Sequence, residues 1–224
     1  MSARTAGTHA QLMDRIYRTQ RRFYDVTRKY YLFGRDRLIA DLALQPGETL
    51  AEIGCGTARN LISIARRYPG AKLYGLDASS EMLRTAGAAI QRAGFSNRIE
   101  LAQGYAETLT PETFALTKPL NHIVFSYSLS MIAGWRGALA AAAAALAQDG
   151  LIHVVDFGDL KGLPGPAERL LRAWLAQFHV VPREALLNTF EESRPSPYRR
   201  FKVLPGRYSF VVSAGPDIPI FRSS

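Results

Sequence analysis

The stretch Thr49-Leu50-Ala51-Glu52-Ile53-Gly54-Cys55-Gly56-Thr57-Ala58-Arg59-Asn60 constrains this chain more than any other. It is an apolar run that breaks at two glycines and re-enters an amphipathic pattern. A strand that stops at glycines and continues as a helix brings bare backbone N–H groups beside a cavity. Glu52, at the end of the strand, directs a carboxylate into that cavity. Such a turn suits a dinucleotide site, a purely structural turn, or a nucleoside site of another kind.

A second landmark narrows the choice. Lys72-Leu73-Tyr74-Gly75-Leu76-Asp77 reads as the next strand and ends in an acid about 20 residues after the glycines, the spacing at which a carboxylate reaches ribose hydroxyls. The acid before the first glycine would repel a pyrophosphate. It suits a ligand with a cationic amino-acid end and no phosphate, such as S-adenosylmethionine. Glu-Ile-Gly-Cys-Gly-Thr-Ala followed by Gly-Leu-Asp-Ala-Ser-Ser-Glu-Met-Leu resembles the first two motifs of class I S-adenosylmethionine-dependent methyltransferases, over roughly residues 45–160. Ala58 stands where that family usually has a third glycine.

At 224 residues and 47% apolar content, the chain is long enough for one well-buried α/β domain with additions. Its single cysteine, Cys55, excludes an internal disulfide and fits a reducing compartment; inside the glycine turn it reads as a small packed residue. No 18-residue apolar run and no secretion signal are found. The net charge of +9 is uneven. Residues 1–42 carry nine Lys/Arg against four Asp, and residues 194–207 carry five basic residues and no acid. Such patches draw a protein to anionic surfaces, or are simply solvated faces.

Between His9 and Leu44, apolar and aromatic residues recur at helical steps among arginines, predicting one or two helices broken near Gly34. We read residues 1–44 as an N-terminal helical cap that covers the acceptor, and residues 45–224 as the catalytic domain. Strands are expected at about 49–54, 71–76, 98–103, 120–126 and 150–156. Helices are expected at about 58–68, 79–93, 135–147 and 165–178, with a short one at 183–192. The alternation predicts an α/β, Rossmann-like, mostly parallel sheet. Thr57 is a candidate cap for the first of these helices, and Ser79 or Ser80 for the second. Tyr198–Leu204 and Arg207–Ala214 around Pro205-Gly206 read as an antiparallel hairpin, which the family adds as its last two strands.

Ligands in parallel sheets sit beyond the carboxyl ends of the strands. The cofactor-binding candidates there are Glu52, Gly54, Cys55, Gly56, Thr57, Asp77, Ala78, Met82, Ala106, Glu107 and Ser126. The resemblance implies that Gly54 and Gly56 admit the amino-acid portion of S-adenosylmethionine. It implies that Asp77 holds the ribose, Met82 packs on the adenine, and the Ser126 carbonyl faces the ammonium. Tyr105 stands where the family often has an Asp for the adenine amine, leaving Ala106 backbone groups or Glu107 as substitutes. Methyl transfer from a sulfonium needs alignment and exclusion of water, and aromatic faces stabilise a methylated ammonium. Tyr24, Tyr30, Tyr31 and Tyr127 are the candidates for that role. His122 and His153 fall inside strands and read as structural. No Cys/His spacing suggests a metal.

The runs from Met13 to Asp36, Ser126 to Ile132 and Arg199 to Tyr208 are similar to the bacterial diacylglycerylhomoserine N-methyltransferases of betaine-lipid synthesis. That resemblance implies three methyl transfers to the homoserine amine of a diacylglycerol ether lipid. It also implies a functional link to the enzyme that makes this lipid, peripheral contact with the inner, cytoplasmic membrane face, and no nucleic-acid partner. Arg28, Lys29, Arg199 and Arg200 are the candidates for the headgroup carboxylate. Phosphatidylethanolamine or a small-molecule amine as acceptor, and an RNA-binding methyltransferase-fold protein, are the alternatives.

Overall fold

A computed structural model describes residues 32–176, 183–192 and 200–216. The expected helices before residue 32, with Tyr24, Tyr30, Tyr31, Arg28 and Lys29, lie outside the described residues, as does Arg199.

Seven strands form one sheet in the order β3-β2-β1-β4-β5-β7-β6. They are β1 (Thr49–Ile53), β2 (Lys72–Asp77), β3 (Ile99–Gln103), β4 (Leu120–Ser126), β5 (Leu146–Phe157), β6 (Arg200–Val203) and β7 (Ser209–Ala214). β1 to β5 are parallel, and β7 runs antiparallel to both β5 and β6. The helices are α1 (Arg35–Ala40), α2 (Arg59–Arg67), α3 (Ser80–Ala93), α4 (Trp135–Ala145), α5 (Gly165–Ala176) and α6 (Glu184–Glu192). The expected mostly parallel, Rossmann-like α/β sheet is the fold observed.

Two apolar layers sandwich the sheet, as a parallel sheet requires. One joins Ile53, Leu76, Ile123 and Phe125 to Leu139 of α4 and Phe190 of α6. The other joins Leu50, Leu73, Val124 and Val155 to Leu38 of α1 and Leu61 of α2. Alternate strand residues feed opposite layers, so the central strands β1, β2 and β4 are buried on both faces, while the edge strands β3 and β6 are partly exposed.

Two expectations are corrected. β5 begins at Leu146, where a helix was expected to continue. Leu146 pairs with Leu120, and the register then shifts so that His122 pairs with Leu151. The polar segment Gln148-Asp149 bulges out of the ladder. Thr57 does not cap α2. Ala58 precedes the helix in the left-handed region (φ 60) and no side chain caps it. Ser79 does cap α3: its hydroxyl accepts the Met82 N–H at 3.3 Å.

The sheet order reverses between β1 and β4, which opens a crevice above their carboxyl ends. Everything described next lies around that crevice.

Candidate active site

The glycine turn is fixed from below by β2. The N–H groups of Gly54 and Cys55 both donate to the Leu76 carbonyl, at 2.8 and 3.0 Å. Gly54 has φ +74, and a Cβ there would lie 2.7 Å from Cβ of Ser128. Position 54 therefore excludes any side chain, both by conformation and by the loop after β4. Asp77 ties the turn from the side: Oδ2 accepts the Gly56 N–H at 2.8 Å and Oδ1 accepts the Ser79 N–H at 2.9 Å.

Two cavities meet at Gly54. The larger, about 220 Å³, is lined by apolar Ile53, Leu76 and Met82, by Asp77 and Ala78, by Tyr105, Ala106 and Glu107, and by Tyr127, Ser128, Met131, Ile132 and Ala133 of the loop after β4. The smaller, about 30 Å³, is polar and is lined by Arg35, Glu52, Cys55, Thr57, Arg59, Asn60 and Ser126. The expected cofactor residues thus divide between them. Asp77, Ala78, Met82, Ala106 and Glu107 fall on the larger, and Glu52, Cys55, Thr57 and Ser126 on the smaller. Gly54 borders both, and Gly56 the larger.

The polarity of the two cavities differs for visible reasons. Glu52 is buried at 2% exposure, and its Oε1 accepts from Asn60 Nδ2 at 2.6 Å. The hydroxyls of Ser126 and Ser128 are buried with no hydrogen-bond partner, one in each cavity. Orphaned buried hydroxyls are costly unless a ligand completes them. Glu107 also lies against Gly134 at the start of α4, where a carboxylate is favoured by the helix dipole. Cys55 is inert: burial, then Asp77 and Glu52, push its thiol well above the usual range.

The aromatic candidate Tyr127 borders the larger cavity. Its ring packs edge-on against Phe157 at 4.7 Å, and its hydroxyl donates to the Phe33 carbonyl. At 2% exposure only a small part of it reaches that cavity. Burial raises its pKa well above the phenol range, keeping it a donor.

Arg200 lines neither of these two cavities. It starts the edge strand β6 and lines a separate cavity of about 240 Å³ with Asp41, His153 and Ser213. Four inter-strand steps separate β6 from β1, which at ~4.8 Å each is roughly 19 Å. Arg207, part of the same basic run, is engaged by Asp159 at 2.8 Å and by Glu191 at 3.1 Å.

His122 and His153 are structural, as read. His122 Nδ1 meets His153 Nε2 at 3.0 Å, His122 Nε2 meets Glu48 at 3.2 Å, and His153 Nδ1 meets Ser213 Oγ at 2.8 Å. Asp156, at the end of β5, accepts the N–H of Ser130 at 3.0 Å and so anchors the loop after β4. Burial raises its pKa to about 6.

Residues 50–150 match a family model described as "Methyltransferase domain". Over these residues the chain carries a methyltransferase domain on the Rossmann-like fold described above. The domain is similar to the trans-aconitate 2-methyltransferase of Streptomyces avermitilis, at 31% identity over 144 residues, 62% of this chain and 51% of that protein. It is also similar to the release factor glutamine methyltransferase of Gloeobacter violaceus, at 36% over 58 residues, 26% of this chain and 20% of that protein. The chain spans at most about half the length of these curated relatives. Among solved structures, a SAM dependent methyltransferase from Aquifex aeolicus superimposes with TM-score 0.55 at 16% identity, covering 84% of this chain and 91% of that one. The apo form of the S-adenosylmethionine-dependent methyltransferase SibL does so with TM-score 0.63 at 18% identity, covering 85% and 57%. These two share the fold of the methyltransferase domain.

The cavities suit the cofactor that fold implies. An apolar slot with an acid at its edge fits an adenosine, and a small polar cavity fits an amino-acid end. The two unpartnered serine hydroxyls add donors to both. Sequence reasoning missed Arg35, Asn60 and Ser128. Asn60 sits eight positions after Glu52, in the first turn of α2, and Arg35 follows the glycine at which the N-terminal helices were expected to break. Both signals are ordinary taken singly, and only the folded chain sets them beside Glu52.

Proposed function

We propose that this protein transfers methyl groups from S-adenosylmethionine to the amine of diacylglycerylhomoserine, three times in succession, giving diacylglyceryl-trimethylhomoserine. The single observation that supports a methyltransferase is the pair of cavities joined at Gly54. When bound, the cofactor supplies a methyl group on a sulfonium, open to in-line attack by a lone pair. The chain's own residues would do the rest. Asp77 would grip the ribose, Ile53, Leu76 and Met82 would exclude water around the base, and Glu52 would balance the ammonium beside the Ser126 carbonyl. Gly54 would let the donor centre approach the backbone.

The acceptor assignment is supported by the likeness of the Met13–Asp36, Ser126–Ile132 and Arg199–Tyr208 runs to betaine-lipid N-methyltransferases. In this reading the segment before residue 32 covers the acceptor with Tyr24, Tyr30 and Tyr31, and Arg28, Lys29 or Arg199 pairs with the headgroup carboxylate. Association with a membrane surface would be peripheral, since no helix among the described residues is long and apolar enough to cross a bilayer. Basic side chains near an anionic leaflet add ~1 kcal/mol each. A partner enzyme would supply the homoserine lipid, and no nucleic acid is involved.

A second reading is favoured by the curated relatives: the acceptor is a small carboxylic acid, as their name states for trans-aconitate. A panel of diacylglycerylhomoserine, phosphatidylethanolamine, trans-aconitate and RNA, each with isotopically labelled S-adenosylmethionine, separates these by product mass. Label confined to mono-, di- and trimethylated homoserine lipid is expected. Label on the carboxylic acid instead would replace the first reading with the second.

A further inference from the structure

One row of the sheet turns polar where its neighbours are apolar. Val124 of β4 pairs with His153 of β5, His153 with Ser213 of β7, and Ser213 with Arg200 of β6. Directly paired residues share a face, and this is the face that Val124 and Val155 give to the layer holding Leu38 of α1. His153, Ser213 and Arg200 line the cavity of about 240 Å³ together with Asp41, Leu42 and Leu151. That is far above the ~30 Å³ share of one water.

A hydrogen-bond chain gives the row a direction. The Glu48 carboxylate is an acceptor, so the His122 Nε2 that meets it at 3.2 Å carries the proton. Burial lowers the pKa of both rings, that of His153 to about 3, so both are neutral near pH 7. A neutral imidazole has one donor nitrogen and one acceptor. His122 Nδ1 therefore accepts from His153 Nε2 at 3.0 Å. His153 Nδ1 in turn accepts from the Ser213 hydroxyl at 2.8 Å. The Ser213 hydrogen is committed inward, and its oxygen keeps lone pairs alone.

The cavity thus offers a ligand a defined set of groups. Arg200 is exposed and has no hydrogen bond or ion pair among the described residues. A guanidinium in that state is a ready fork for a carboxylate. The Ser213 oxygen is an acceptor, and Asp41, 3.6 Å from Arg37, is a second. Leu42 and Leu151 add an apolar wall. We propose that this cavity binds the zwitterion of an α-amino acid, with Arg200 taking the carboxylate and Ser213 and Asp41 taking the ammonium. The site stands at the β6 edge, four inter-strand steps from β1, separate from the cofactor cavities and independent of the acceptor that is methylated.

Nitrogen NMR of the full-length protein, labelled at its four histidines, tests this, with the His153 signals assigned by their loss in His153→Gln. L-Alanine carries both charged ends, propionate the carboxylate and ethylamine the ammonium. L-Alanine should shift the His153 Nδ1 signal saturably, and each of the others should need at least roughly ten times the concentration, the cost of one hydrogen bond to a charged group. Arg200→Gln should weaken alanine and propionate alike by roughly 10- to 100-fold. Ser213→Ala should weaken alanine and leave propionate unchanged; Asp41→Asn reads the same split should Ser213→Ala fail to fold. The homoserine headgroup carries the same two ends. A short-chain diacylglycerylhomoserine that acts at lower concentration than alanine assigns the site to a lipid headgroup, and one that does not assigns it to a free amino acid. No response, an equal response to all three probes, or a response untouched by Arg200→Gln overturns the proposal. So does a shift abolished by S-adenosylhomocysteine, which places alanine in the cofactor's cavities instead. A His153 proton on Nδ1 also overturns it, since the Ser213 hydrogen would then turn to the cavity.

Discussion

Asp77 shows how one carboxylate serves structure and chemistry together. Its two oxygens hold the Gly56 and Ser79 N–H groups, and an ionised carboxylate accepts at about four lone-pair sites in all. Removing it should therefore do two things. Asp77→Ala should lower S-adenosylmethionine affinity by at least about tenfold and also cost about 1–3 kcal/mol of stability, from the backbone donors it strands. Calorimetry and urea unfolding on the same variant read both; unchanged affinity would remove Asp77 from the ribose role. The position of this acid was legible from its spacing after the glycines. Its bond to Gly56 was not, because spacing locates a strand end but does not say which backbone N–H turns toward it. The burial of Tyr127 was not legible either, for a related reason. Its place after β4 is written in the sequence, but the left-handed turn at φ 55 that swings its ring into the core is not.

Among the elements, the join between the parallel strands and the antiparallel pair is tightest. Gly158, just after β5, donates its N–H to the Tyr208 carbonyl at 2.8 Å, and a Cβ there would lie 2.1 Å from the Arg207 carbonyl oxygen. No flexible side chain can yield at that contact. Gly158→Ala should cost about 3 kcal/mol, at the upper end of overpacking, read as a lower urea midpoint; an unchanged midpoint would show that the β7 turn can move aside. The histidine row sets a pH dependence. Burial, then His122 and Arg200, lower the His153 pKa to about 3 from its ordinary 6.5. Below pH 6.5 the unfolded chain binds a proton that the folded one refuses, so stability is lost as pH falls toward about 3, at up to roughly 1.4 kcal/mol per unit. The stability difference between the parent and His153→Gln should shrink across that window, and a constant difference would contradict it. Strands and helices from β1 to α5 were readable from their alternating pattern. The early start of β5 was hidden because Gln148-Asp149-Gly150 has the composition of a turn.

At the scale of the molecule, the reversal of strand order between β1 and β4 places the crevice, and the two glycines decide what enters it. The parallel order was implied by the strand–helix alternation. The closing hairpin was legible, but the insertion of β7 between β5 and β6 was not, because a hairpin's sequence does not say which of its strands faces the sheet. Charge was the poorest guide. Among the described basic residues, Arg207 is engaged by two carboxylates, Arg35 is buried and Arg200 lines a different cavity, so membership of a basic run did not tell where each side chain lies. The most direct test of a cofactor seated across Gly54 is a crystal structure of the full-length protein with S-adenosylhomocysteine. Its ribose is expected on Asp77, its base beside Met82 and its amino-acid end toward Glu52 in the smaller cavity. A ligand lying elsewhere, or a diphosphate in its place, would contradict it.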